Sequence, residues 1–247
     1  KPGPGTSRGL ILSSPDIDAV FELLRSHERI MVFTGAGVSV DSGIPDFRSG
    51  DGVWSRIDPM TLSRDRLMGR TGTIESFWAG MSSIWHAFGD PEPNPTHRAI
   101  TDLQTMNRVL GIVTQNIDGL HQKGGSHDVV ELHGSQQSCI CLSCARTETM
   151  ASVMDRVSAG EQIPKCLHCQ GTIRPEIVLF GDPLPMGEMN RAQSMACRTD
   201  LCLVLGSSLV VHPAADLPRI AYASGARLAI ITKGETPLDR LAHLRVD

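Results

Sequence analysis

Apolar residues Ile17, Val20, Phe21 and Leu24 recur at helical spacing and predict an amphipathic helix over Asp16 to Ser26. Ser14 suits the N-cap, with Pro15 at the first helical position. Five short apolar runs follow: Arg29 to Thr34, Val109 to Thr114, Ile177 to Phe180, Leu201 to Leu205 and Leu228 to Thr232. Each ends in a polar or glycine-containing turn, as expected of a strand buried on both faces. Helical patterns lie between them, at Pro95 to Met106, Gly187 to Cys197 and Pro213 to Ser224. Strand and helix in alternation predict an α/β fold, a Rossmann-like parallel sheet with helices on both faces.

Two stretches break the rhythm. Residues 51–89 begin polar and then become rich in Phe77, Trp78, Met81, Ile84, Trp85 and Phe88. Residues 135–172 carry paired cysteines. Both are expected to be insertions that form a smaller lobe: a helical insert with a cofactor loop, and a zinc-binding insert. Residues 9–50, 90–134 and 173–247 then make up the sheet domain. Residues 1–8, rich in Gly and Pro, are expected to be a flexible arm.

Composition narrows the function. The chain has 247 residues, a net charge of −4 and a pI near 6.1. It lacks the basic stripe of a nucleic-acid binder, and no apolar run approaches the ~20 residues needed to span a bilayer. Four of the seven cysteines form two C-x-x-C pairs, Cys141/Cys144 and Cys166/Cys169, 21 residues apart. That spacing suits a tetrahedral all-thiolate zinc site, with no position open for water, so the metal is expected to be structural. Two disulfides are the alternative. A zinc site and free thiols point to a reducing, cytoplasmic setting. Cys139 is expected outside the first shell, and Cys197 and Cys202 as ordinary core thiols.

Thr34-Gly35-Ala36-Gly37 follows the first strand directly. Glycines there permit a tight turn and close approach of backbone to a pyrophosphate. A dehydrogenase of this type has an acid at the tip of its second strand, but here that strand ends Thr114-Gln115-Asn116. A different dinucleotide pose is therefore expected.

Four blocks are more specific. Gly35-Ala36-Gly37-Val38-Ser39 through Pro45-Asp46-Phe47-Arg48 resembles the sirtuin signature. So do Thr114-Gln115-Asn116-Ile117-Asp118-Gly119, Leu132-His133-Gly134 and Gly206-Ser207-Ser208-Leu209. The resemblance implies an NAD-dependent protein-lysine deacylase, most simply a deacetylase, that transfers the acyl group to ADP-ribose and releases nicotinamide. By that resemblance Gly35, Ala36, Gly37, Asp46, Phe47 and Arg48 form the NAD turn and cofactor loop. Gln115, Asn116 and Asp118 line the nicotinamide and its ribose, with Asn116 and Asp118 also catalytic. His133 is the general base, and it too contacts NAD. Gly206, Ser207 and Ser208 hold phosphate and adenosine ribose. Val178, Phe180 and Gly181, with Val210 and Val211, flank an acyl-lysine peptide added as a strand. The cofactors implied are NAD, consumed as co-substrate, and one structural zinc ion. A monomer is expected.

The chemistry suits these residue types. A ribose hydroxyl is a poor nucleophile near neutral pH, and a neutral imidazole can take its proton. His121, His97 and His212 are expected to be structural. Departures from the pattern are Ser207, where sirtuins usually have Thr, and Thr232, where an Asn commonly reaches the adenosine ribose. Sirtuins also continue past the last predicted strand through a further strand or turn and a helix. Sirtuins that prefer acidic acyl groups carry a Tyr and an Arg three residues apart in the helical lobe. Here the sole Tyr, Tyr222, lies far from that insert and no Arg stands between Thr73 and Phe88, so the resemblance implies weak turnover of succinyl-lysine. The apolar insert residues could line a channel for long acyl chains, but simple packing of the lobe is the favoured role. Rival activities are mono-ADP-ribosyl transfer, NAD hydrolysis, and NAD sensing without turnover.

Overall fold

The computed structural model describes residues 14–47, 50, 52–55 and 57–247. The expected arm and Arg48 lie outside the described residues. Helix α1 (Ser14–Ser26) leads into β1 (Ile30–Thr34), then a 3-10 segment, Ala36–Ser42. Helices α2 (Arg64–Leu67), α3 (Ile74–Phe88) and α4 (Pro95–Thr105) follow, then β2 (Val109–Thr114), α5 (Leu120–Lys123) and β3 (Val129–Glu131). Next come β4 (Gly134–Cys141), β5 (Thr147–Thr149), α6 (Met150–Ser158) and β6 (Ile173–Ile177). The chain closes with α7 (Met186–Arg198), β7 (Leu201–Leu205), α8 (Asp216–Ala223), β8 (Arg227–Ile231) and β9 (Leu244–Val246).

Six strands form one parallel sheet in the order β3-β2-β1-β7-β8-β9. Side chains alternate between its faces. Met31, Phe33, Val113, Val204 and Ile230 pack with Ala192, Ala196 and Leu217 of α7 and α8. Ile30, Val32, Ile112 and Leu203 pack on the other face, with Ile100 of α4 and Leu23 and Leu24 of α1. The chain winds outward from β1 to β3, then crosses back to β7 beside β1. That reversal is a topological switch point, where adjacent strand ends diverge and leave a crevice.

The second sheet, β5-β4-β6, is antiparallel. Its apolar neighbours come from α3 and α6: Phe77, Trp78, Met81 and Ile84 pack with Met150, Val153 and Ile173. This is the lobe-packing role expected of the helical insert.

Beyond β4 and β5, which lie in the cysteine-bearing insert and were not predicted as strands, three strands differ from expectation. The run Ile177 to Phe180 is not a strand of the parallel sheet. The strand there is β6, ending at Ile177 in the antiparallel sheet, while residues 178–180 run on beyond it. In β6 only alternate residues are buried, Ile173, Pro175 and Ile177, the pattern of a half-exposed strand. Strands β3 and β9 escaped prediction because each has three residues. β9 is nonetheless a further strand of the parallel sheet, beyond the last one predicted.

Candidate active site

Five parallel strands deliver their carboxyl ends to one rim. Gly35 follows β1, Gln115 follows β2, Gly206 follows β7 and Thr232 follows β8, and β3 ends two residues before His133. The two glycine turns touch. Gly35 N–H donates to the Leu205 carbonyl at 3.1 Å, and Gly37 N–H to the Gly206 carbonyl at 2.9 Å. A Cβ on Gly37 would stand 2.7 Å from Gly206 Cα, and one on Gly35 2.8 Å from the Gly206 oxygen. Gly206 itself has φ of 60°, in the left-handed region where glycine is favoured. The turns are thus flush backbone against backbone, a cradle without side chains of the kind a diphosphate needs.

Beside the cradle, Ser39 donates its hydroxyl to Asp118 Oδ2 at 2.7 Å and accepts from Asn116 Nδ2 at 3.1 Å. Asp118 Oδ1 accepts from the Leu120 N–H at 2.9 Å. Asn116 is 4% exposed, yet its Oδ1 has no partner. A buried carbonyl oxygen left so is costly, and an amide or hydroxyl donor on a ligand would satisfy it. Ala36, Ser39, Ile44, Phe47, Asn116 and Asp118 line one small pocket there.

His133 is half-buried. Its Nδ1 lies 2.9 Å from the Gln115 carbonyl. A carbonyl can only accept, so Nδ1 carries a proton, and in the neutral imidazole Nε2 is then the basic nitrogen. That tautomer is the one a general base needs. The His133 carbonyl in turn accepts from Val178 N–H at 2.8 Å, fastening the segment after β6 to the base.

His121 contrasts with it. It is 1% exposed, with Nε2 against Thr34 Oγ1 at 2.9 Å and its ring 4.9 Å from that of His97. Burial, and to a lesser extent the neighbouring His97, pushes His121 down to about 3. His97 also lies low, from burial, and its Nδ1 accepts from Asn94 N–H at the start of α4. Both are structural, as the sequence suggested.

In residues 178–181, Leu179 is buried while Phe180 and Gly181 form an exposed margin. Phe180 N–H donates to the Leu62 carbonyl, and its own carbonyl accepts from Arg64 N–H, a parallel bridge with Ser63. Phe180 and Val210 are 45% and 48% exposed, large apolar side chains at the surface of this margin.

The four cysteine sulfurs lie within 4.8 Å of one another, and all are free thiols. Cys141 to Cys169 is 3.5 Å and Cys144 to Cys166 is 3.7 Å, far beyond a disulfide bond. A tetrahedron with Zn–S bonds of ~2.3 Å has edges of about 3.8 Å. Knuckle amides favour thiolates: chiefly the Cys144 N–H draws Cys141 down to about 6, and chiefly the Cys169 N–H lowers Cys166. The donor set fits zinc. Cys139 is outside it, buried against Met150.

The Sir2 family model matches residues 35–213. An NAD-dependent protein deacetylase of Haloarcula marismortui is 42% identical over 94% of this chain and 90% of its own length. An NAD-dependent protein deacylase 2 of Archaeoglobus fulgidus is 40% identical, over 94% and 90%. This chain belongs to the Sir2 family. Among solved structures, Sir2 with a p53 peptide and NAD+ superposes with a TM-score of 0.84 at 35% identity, covering 93% of this chain and 92% of that one. Sir2Tm bound to a propionylated peptide gives 0.83 at 35% identity, with the same coverage.

Against this Sir2 frame, the sequence-predicted residues Gly35, Ala36, Gly37, Gln115, Asn116, Asp118, His133, Gly206, Ser207 and Ser208 gather at one rim of the sheet. Phe47 lines the small pocket with Asn116 and Asp118, and the neighbouring Asp46 carbonyl accepts from Val53 N–H. Thr232 is half-buried, its N–H donating to the Val246 carbonyl of β9. Ser207 is 4% exposed, its hydroxyl donating to Gln115 Oε1 at 2.7 Å. Two contributors were missed. Ser39 bridges Asn116 and Asp118 across 79 positions in sequence. Asp182 staples the turn at Gly181, accepting from Leu179 N–H at 3.1 Å and from Arg174 Nη2 at 2.6 Å. The first lay inside a quoted block; the second carried only the signal of an acid after a glycine.

Proposed function

We infer that this Sir2-family chain is an NAD-dependent protein-lysine deacylase that moves the acyl group of lysine to ADP-ribose and releases nicotinamide. The observation that carries it is the pairing of His133, with Nε2 left basic, with the unsatisfied Oδ1 of buried Asn116. NAD, when bound, supplies the ADP-ribosyl group that accepts the acyl and the nicotinamide that departs. This chain's residues do the rest. Gly35, Ala36, Gly37, Gly206, Ser207 and Ser208 cradle phosphate and adenosine ribose, with Thr232 beside the latter. Gln115, Asn116 and Asp118 hold the nicotinamide end. Asp46, Phe47 and Arg48 close over it and exclude water. His133 Nε2 takes a proton from a ribose hydroxyl, worth ~10²–10⁴-fold in rate.

The peptide lies along Val178, Phe180 and Gly181 on one side and Val210 and Val211 on the other, as an added strand. Cys141, Cys144, Cys166 and Cys169 hold one structural zinc ion. The sheet domain comprises 9–50, 90–134 and 173–247, with β6 at its junction to a small domain of 51–89 and 135–172. The chain works as a monomer in a reducing cytoplasm, without direct nucleic-acid contact. No described helix is long and apolar enough to cross a membrane.

The test is nicotinamide release from NAD, with and without an acetyl-lysine peptide, on the wild type and on His133→Ala. Peptide-dependent release with equimolar free lysine, nearly lost in the variant, is expected. Peptide-independent release would mean hydrolysis, and a peptide that keeps its acetyl group while gaining ADP-ribose would mean transfer. Light scattering on the same sample should read 26.7 kDa.

A further inference from the structure

Ser207 is buried where three segments meet. Its turn abuts the first glycine turn, since a Cβ on Gly35 would stand 2.9 Å from Ser207 Cα. Its hydroxyl oxygen accepts from the Leu209 N–H at 3.3 Å, which fixes the loop leading to Val210. Its hydroxyl proton is donated to Gln115 Oε1 at 2.7 Å. Gln115 is itself anchored through its backbone. Its N–H donates to the Thr34 carbonyl at 3.0 Å, and its carbonyl accepts from His133 Nδ1. Only the side-chain amide of Gln115 is free to turn, and Ser207 engages its oxygen.

We propose that Ser207 is a positioning residue: its hydroxyl holds the Gln115 carboxamide so that the NH2 end alone faces the dinucleotide. An amide is ambivalent, with a donor end and an acceptor end of nearly equal size. With Oε1 turned towards Ser207, Gln115 presents its NH2 donors, and its ligand contact is an oxygen acceptor, a ribose hydroxyl or phosphate oxygen of NAD. Ser207 thus acts through Gln115, while the backbone of the same residue lines the phosphate cradle. Ser208, which is exposed, is left as the hydroxyl that can face the ligand. The inference rests on the deacylase reading for its substrate but not for its geometry.

The experiment compares Ser207→Ala, Ser207→Thr, Gln115→Ala and the Ser207→Ala/Gln115→Ala double variant. KM for NAD and kcat are measured separately, and the affinity for ADP-ribose by calorimetry. Losing one buried hydrogen bond predicts a rise of about five- to tenfold in KM for Ser207→Ala, with kcat changed less than twofold. Ser207→Thr should restore most of that loss, and the double variant should be no worse than Gln115→Ala alone. Additive effects, or a Thr variant as poor as the Ala one, would overturn the proposal. Should Ser207→Ala fail to fold, Gln115→Glu decides. It keeps an oxygen for Ser207 but loses the NH2 donors, so it should raise KM as far as Gln115→Ala does, and a value within twofold of wild type refutes the idea. Calorimetry reads the same ratios without turnover, so failure of the deacylase reading is told apart from failure of this one.

Discussion

The two sheets are stabilised by different means. In the parallel sheet, Ile30, Met31, Val32 and Phe33 of β1 are all fully buried, between helices on both faces. Nothing but side-chain burial and the strand ladder is needed there. The antiparallel sheet has strands of eight, three and five residues and a core on one side only. Its far end closes on four sulfurs. Where a lobe is too short to bury enough apolar surface, a metal supplies the cross-link that a core would otherwise provide. The rim of the parallel sheet is packed to backbone contact, while the small lobe adds to its apolar core four sulfurs that a zinc ion would cross-link.

The sharpest way to break this contrast is to remove the metal. A chelator, or Cys144→Ser with Cys166→Ser, should cost the small lobe about 10 kcal/mol of metal-linked stability. Loss of zinc by atomic spectrometry should accompany a change in Trp78 and Trp85 fluorescence, while most far-UV helix signal from the parallel sheet domain persists. Purified protein that contains no zinc and ignores the chelator would remove the distinction. Next in size is Gly206→Ala. The added Cβ would lie 2.5 Å from the Val38 nitrogen at φ of 60°, and should cost about 2 kcal/mol or more in urea unfolding. A change within about 0.5 kcal/mol, the range of an ordinary surface substitution, would mean that the cradle is loose.

The pH-dependent effect concerns the buried imidazoles below the rim. His121 ordinarily titrates at 6.5 and lies at about 3 in the fold. Above pH 6.5 both folded and unfolded states are neutral there, and stability is unaffected. As pH falls below 6.5 the unfolded chain takes up a proton that the fold refuses, so stability drops by about 1.4 kcal/mol per pH unit towards pH 3. Urea midpoints between pH 7 and 4 should fall more steeply for the wild type than for His121→Gln. Parallel curves would show that His121 is not held neutral.

Much of this was legible in the sequence because backbone constraints leave marks. Gly35, Gly37 and Gly206 stand where a Cβ has no room, and the cysteine pairs carry metal-ligand spacing. Strands β1, β2, β7 and β8 are buried on both faces and read as plain apolar runs. The losses have physical causes too. Ile177, Val178, Leu179 and Phe180 form an apolar run although only Ile177 lies in a strand: Ile177 and Leu179 both enter the core of the small lobe. Leu179 is buried there, while Phe180 is left at the exposed margin. The role of Ser39 depends on Asn116 and Asp118 meeting it in space, which no local pattern encodes. Likewise Ser207 could be seen as a hydroxyl in a glycine turn, but its bond to Gln115 spans 92 positions.

The strand order also sets a schedule for synthesis. β1 pairs with β2 on one side and with β7 on the other, and Arg29 and Asp200 meet at their shared end, 171 positions apart. At ribosomal rates of ~5–20 residues per second, roughly 10–30 s pass between the emergence of β1 and that of its second neighbour. For that interval one long edge of β1, with the most deeply buried residues of the molecule, is open. The nascent chain must therefore be shielded, or held back from pairing with other chains, until β7 has been made.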